Sequence, residues 1–191
     1  MEVRAVFLVG FMASGKSSVG RELARRLGWE FVDLDAEIES REGRTIPEIF
    51  RDREEQGFRL IEARALRKLT ESLERDTVVA LGGGTFAQAE NREWLRPWPT
   101  IFLDAPAEEL WRRTVADATV RPLRRDQTEF ARLYEARRPF YREATVTVVT
   151  SGKDPVSLCV EIESRLRFRG NADDVRIPQD PPANFGTGES E

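Results

Sequence analysis

The stretch 10-GFMASGKSS-18 follows directly on 3-VRAVFLV-9 and runs into 19-VGRELARRLG-28. A hydrophobic run ends, glycine, lysine and serine gather, and an amphipathic helical pattern begins. Gly10-x-x-x-x-Gly15-Lys16-Ser17 has the spacing of a phosphate-wrapping loop. That spacing has a mechanical cause. The loop must turn several backbone N–H groups inward, which glycine permits, and the helix behind it presents its positive end to an anion. The nucleotide-binding set read along this loop is Gly10, Ala13, Ser14, Gly15, Lys16, Ser17 and Ser18. Lys16 is spaced to reach the β- and γ-phosphates of a nucleoside triphosphate, and the Ser17 hydroxyl to ligate Mg²⁺. A secretory leader is the competing reading of the same residues. Against it stand Glu2 among the first residues and an apolar run of barely nine.

Composition narrows the chemistry. The 191 residues carry 30 basic and 34 acidic side chains, a net charge of −4, which suits neither nucleic acid nor a membrane surface as partner. There is no histidine and one cysteine, Cys159, which excludes a Ser-His-Asp triad, a Cys-His pair and the usual zinc sites. No segment approaches the ~20 apolar residues of a membrane span. A cytoplasmic location and a monomer are expected.

Short apolar runs alternate with longer helical patterns along the chain. Strands are expected at 4–9, 30–35, 77–82, 99–104 and 144–149, and helices at 16–27, 35–42, 45–73, 87–96, 106–116, 127–143 and 154–168. Thr45-Ile-Pro-Glu48 reads as a capping box with an early proline, and Asp154-Pro155 as an N-cap with a first-turn proline. Alternation of this kind predicts an α/β fold, a parallel sheet with helices on both faces. Residues 1–168 are expected to form this one domain. Residues 169–191, rich in proline, glycine and polar residues without a period, read as a disordered tail.

A phosphate loop alone does not separate a switch, a motor and a kinase. No Asn-Lys pair exists to read a guanine base, so a guanine-nucleotide switch is disfavoured. A small-molecule kinase needs a metal-side carboxylate, a polar acceptor site and a mobile arginine. In 31-FVDLDAEIE-39, Asp33 and Asp35 would project to one side of an extended strand, one to orient Mg²⁺ waters and one to take a proton. Asp35 would serve equally well as a helix N-cap. The run Gly82-Gly83-Gly84 follows a strand at the sheet edge where ligands bind, and reads either as close backbone approach or as a loose turn. Arg59 reads as an acceptor contact or as a solvated partner of Glu55 or Glu62. Arg121 lies in a charged stretch suited to a lid. Arg137 precedes Pro139, which would distort a helix there. Among 27 arginines, periodicity cannot choose these three.

Together these pieces resemble the shikimate kinase family from about residue 4 to residue 168. The likeness rests on Gly10–Ser18, Phe31-Val-Asp33-Leu-Asp35, Glu55-x-x-Phe58-Arg59, Gly82-Gly83-Gly84, Arg121-Pro122-Leu123 and Arg137-x-Pro139-x-Tyr141. It implies a three-layer P-loop kinase fold, with a five-stranded parallel sheet in the order 2-3-1-4-5 and a short lid. It also implies transfer of the γ-phosphoryl of ATP to the 3-hydroxyl of shikimate, on the route to chorismate and the aromatic amino acids. Asp35 is then the base, with Lys16 and Arg121 as the other catalytic groups. Arg59 and Arg137 clamp the shikimate carboxylate, and Gly82, Gly83 and Gly84 line the acceptor. Ser17 binds Mg²⁺ directly and Asp33 through water, while Arg113 and Lys153 pack the adenine. Ala13 stands where many members have glycine. The lid is shorter than in many relatives and carries Arg124-Arg125. Rival readings are a gluconate-type or other small-metabolite kinase, and a catalytically silent nucleotide-binding regulator.

Overall fold

The computed structural model describes residues 4–116 and 126–167. The expected lid, with Arg121, Arg124 and Arg125, and the expected disordered tail from 169 lie outside the described residues.

Five strands form one parallel sheet: β1 (Ala5–Val9), β2 (Glu30–Asp33), β3 (Thr77–Ala80), β4 (Thr100–Asp104) and β5 (Val146–Val149), in the order β2-β3-β1-β4-β5. The central strands β1, β3 and β4 are buried at every residue, while the edge strands β2 and β5 are only partly so. Burial on both faces explains why the central three read as unbroken apolar runs.

Helix α1 (Lys16–Leu27) covers one face together with α7 (Pro155–Arg167). Val19 and Leu23 meet Leu158, Cys159 and Ile162 there. The other face carries α2 (Leu34–Glu42), α3 (Ile46–Glu71), α4 (Ala89–Leu95), α5 (Ala107–Ala116) and α6 (Gln127–Tyr141), packed around Phe7, Phe11, Phe102 and Tyr141. Burial pushes the Cys159 thiol up to about 11, so it sits there as a small apolar group.

Capping follows the sequence at two ends. The Glu48 carboxylate accepts from the Thr45 N–H at 2.8 Å and from its hydroxyl at 2.7 Å. The Asp154 carboxylate accepts from the N–H groups of Val156 and Ser157. Three local expectations change. The second strand ends at Asp33, not Asp35, because Asp33 itself caps α2 by accepting from the Asp35 N–H at 3.1 Å. The two carboxylates are therefore not strand alternates, and Asp35 lies in the first turn of the helix. Helix α3 is broken by Glu54, whose φ of 56° and ψ of −177° are not helical. Pro139 sits within α6 without stopping it before Tyr141, since the bond it removes lies in the last turn.

Every strand points its carboxyl end the same way, so the turns after β1, β2 and β3 gather at one edge. In register, Asp33 pairs with Ala80, and Leu8 with both Ala80 and Ile101. The phosphate loop, the aspartates and the glycine run thus arrive at one level. That edge is where open α/β sheets bind ligands.

Candidate active site

The loop between β1 and α1 is built by three left-turning residues: Gly10 (φ 146°), Ala13 (φ 59°) and Gly15 (φ 95°), the last of which caps α1. Ala13 is the costly one, since an L side chain in this region loses about 1 kcal/mol. The Lys16 ammonium donates to the carbonyls of Gly10 at 3.0 Å and Phe11 at 2.8 Å, tying it across the loop mouth. The Ser17 hydroxyl donates to Asp33 Oδ2 at 2.6 Å. One Asp33 oxygen thus faces Ser17 and the other caps α2. This pair bridges β2 to the start of α1.

A cavity of about 760 Å³ opens at this edge. Its phosphate-loop end is lined by Ala13, Gly15, Lys16, Ser17, Ser18 and Arg113, and its far end by Asp33, Asp35, Arg59, Gly82–Gly84 and Arg137. Gly10 and Ser14 shape the loop from behind: the Ser14 hydroxyl would lie 2.9 Å from a Cβ added at Gly10. Arg113 reaches Thr150 Oγ1 at 3.3 Å and the Ala13 carbonyl at 3.5 Å, joining α5 to the turn after β5. Lys153 is not among the cavity residues, and its ammonium pairs with Glu161 at 2.6 Å.

The glycine run is explained by side chains rather than by its own dihedrals. A Cβ on Gly82 would lie 2.5 Å from Asp35 Oδ1, and one on Gly84 would lie 2.4 Å from Arg59 Nη1. Those separations are impossible for real carbons, so the run leaves room for the carboxylate and the guanidinium. The Gly83 carbonyl accepts from the Tyr141 hydroxyl and lies 3.4 Å from Arg137 Nη1. Burial raises the Tyr141 pKa, so the phenol remains a donor throughout the working range.

Both acceptor-side arginines are drawn inside. The Arg59 side chain is 12% exposed and Arg137 10%. Arg59 does pair with both Glu55 and Glu62, each at 2.9 Å, but not as a solvated helix residue. Glu62 is buried and also accepts from the Thr85 hydroxyl at 2.6 Å. Burial pushes the Arg59 pKa down, yet Glu62 and Glu55 outweigh it and hold the pKa above its ordinary value. Phe58 backs the Arg59 guanidinium at 5.3 Å, and Phe11 backs that of Arg137 at 6.0 Å. Both arginines reach one oxygen, Glu55 Oε1, at 2.9 and 3.7 Å. The fold has arranged two forked donors around a single carboxylate.

Helix α6, which carries Arg137, is fixed to the sheet by a buried network. The Tyr134 hydroxyl donates to Asp104 at 2.6 Å and to the Ala105 carbonyl at 2.9 Å, and Arg138 donates to Asp104 at 2.9 Å. Sequence reading missed Asp104 and Tyr134, and it took Glu62 for a surface partner. For Glu62 a signal existed: it lies one turn beyond Arg59 in a helix whose face is otherwise apolar.

A phosphate loop at the carboxyl edge of a parallel sheet, opening onto a polar acceptor cavity, defines a P-loop small-molecule kinase. The sequence matches the shikimate kinase family model over residues 12–167. A shikimate kinase of Persephonella marina is 40% identical over 166 residues, covering 86% of this chain and all of the relative. The crystal structure of Acinetobacter baumannii shikimate kinase in complex with shikimate superposes with a TM-score of 0.82 at 36% identity, over 88% of this chain and 96% of that one. The Aquifex aeolicus enzyme superposes with a TM-score of 0.76 at 37% identity, over 89% and 99%. This chain belongs to the shikimate kinase family.

Proposed function

We infer that this enzyme transfers the γ-phosphoryl of ATP to the 3-hydroxyl of shikimate, giving shikimate 3-phosphate and ADP. Family membership supports the reaction, and one observation carries the acceptor: two largely enclosed guanidiniums meeting on one carboxylate oxygen. A gluconate-type acceptor also bears a carboxylate, but the family match and the relatives at 36–40% identity described above are shikimate kinases.

The family resemblance implies the roles, and the geometry supports them at every position but Arg121 and Lys153. Arg59 and Arg137 hold the substrate carboxylate, a task suited to planar forks backed by aromatic rings. Asp35, set over Gly82, accepts the hydroxyl proton as the oxygen attacks phosphorus and the bond to ADP breaks. Backbone N–H groups of Gly83 and its neighbours hold the substrate ring. Lys16 and the N-terminal end of α1 stabilise phosphate charge, and Arg113 lies beside the nucleotide base. Arg121 is assigned to the transferring phosphoryl on its sequence alone. Lys153, turned toward Glu161, is kept on the adenine side by resemblance only.

Mg²⁺ fits the residues present. Among the described residues no group of three or more carboxylates, cysteines or histidines gathers. Ser17 and Asp33 offer two hard oxygens at the mouth of the loop, as expected for an ion that keeps waters and arrives with phosphates. Ser17 would hold it directly and Asp33 through water, and it would supply positive charge to offset that of the phosphates.

No described helix is long and apolar enough to cross a membrane. A cytoplasmic monomer, with its catalytic unit in residues 1–168, is the accompanying proposal. The test is ADP release with shikimate, with gluconate and with no acceptor. Release dependent on shikimate supports the reading; release with gluconate alone, or none in any case, refutes it.

A further inference from the structure

The break in α3 sets one of the chain's own carboxylates between the two guanidiniums of the clamp. Glu54 occupies a backbone region that only glycine enters freely. The residue after it, Glu55, lies within ion-pair distance of both Arg59 and Arg137. Two carboxylates cannot share that seat, since they would compete for the same N–H donors and repel each other. The three groups differ in freedom. Glu55 is 53% exposed and can withdraw to water, whereas both arginines are enclosed. Glu62, buried in the wall of the same cavity, remains as the permanent counter-ion of Arg59.

We propose that Glu55 is an internal stand-in for the substrate carboxylate, orienting the Arg59–Arg137 clamp in the enzyme without acceptor and yielding its place to shikimate. The proposal rests on reading these two arginines as the substrate clamp. It has two consequences. Shikimate affinity is lowered by the fraction of time that Glu55 holds the seat. An acceptor without a carboxylate has nothing to exchange for the ion pairs it breaks, so Glu55 also selects for acids.

The test is calorimetric titration of nucleotide-free enzyme with shikimate, comparing the intact chain with Glu55→Gln and Glu55→Asp. Glutamine keeps the shape without the charge, and aspartate keeps the charge but draws it back by a methylene. Both should bind shikimate more tightly, Gln by about two- to fivefold, the scale of a half-exposed ion pair. Equal urea midpoints would show that the fold is unchanged, and Glu55→Asp decides alone should Glu55→Gln fail to fold. Unchanged or weaker binding overturns the stand-in, because Glu55 would then only brace the arginines. Arg137→Ala, titrated alongside, separates the two claims. If it binds shikimate as well as the intact chain, the clamp itself is wrong. If it weakens binding while Glu55→Gln does not tighten it, the clamp stands and only the stand-in fails.

Discussion

Asp35 and Asp33 divide two tasks that the sequence left undecided. Asp33 caps α2 and faces Ser17, while Asp35 stands over Gly82. Asp35→Asn should therefore leave the cap and the melting temperature unchanged while removing the proposed proton acceptor. Turnover should fall by about 10²–10⁴-fold, the usual worth of a positioned base; steady-state kinetics beside thermal unfolding would check it, and an active variant would return Asp35 to a structural role. Gly84→Ala makes a second test. The new Cβ would press on the Arg59 guanidinium, so kcat/KM for shikimate should drop by about 10²-fold, the effect of a misplaced binding group. At this scale the phosphate loop was legible because its chemistry is local: eight consecutive positions and one helix end do the work. The clamp was not, because nothing in the spacing of 27 arginines says which two are buried facing each other. Resemblance singled out Arg59 and Arg137, and the burial of Glu62 shows why Arg59 points inward.

At the scale of elements, the five strands and seven α-helices among the described residues could be placed from apolar runs and caps, with ends off by a residue or two. The errors have physical causes. The expected strand over 30–35 ran two residues too far because Asp33 caps α2, a bond invisible to periodicity. The break in α3 was illegible because Asp52-Arg53-Glu54-Glu55-Gln56 contains neither proline nor glycine to announce it. Glu54→Gly follows as a prediction: the kink stays, its strain goes, and the gain exceeds the added freedom of the unfolded chain. Stability should rise by about 1 kcal/mol, or roughly 2–4 °C in melting temperature for a domain of this size. A fall in calorimetric melting temperature would show that the Glu54 side chain contributes more than its backbone costs.

For the whole molecule, alternation predicted a parallel sheet but not the order of its strands, since any right-handed crossover sequence satisfies the same pattern. The order β2-β3-β1-β4-β5 came with the family resemblance and is what the chain adopts. It places the phosphate loop between the aspartates on one side and Arg113 on the other. Phosphoryl donor and acceptor can meet in one cavity only because of that order. The most direct measurement compares kcat/KM of the intact enzyme and Arg59→Ala on shikimate and on an analogue whose carboxylate is a neutral amide. Loss of a buried, charge-assisted contact should cost about 2–4 kcal/mol, roughly 30- to 1000-fold, with shikimate. With the amide, already a poor substrate of the intact enzyme, the same change should cost far less. Equal damage to both acceptors would mean that Arg59 does not hold the carboxylate, and the acceptor assignment would fall with it.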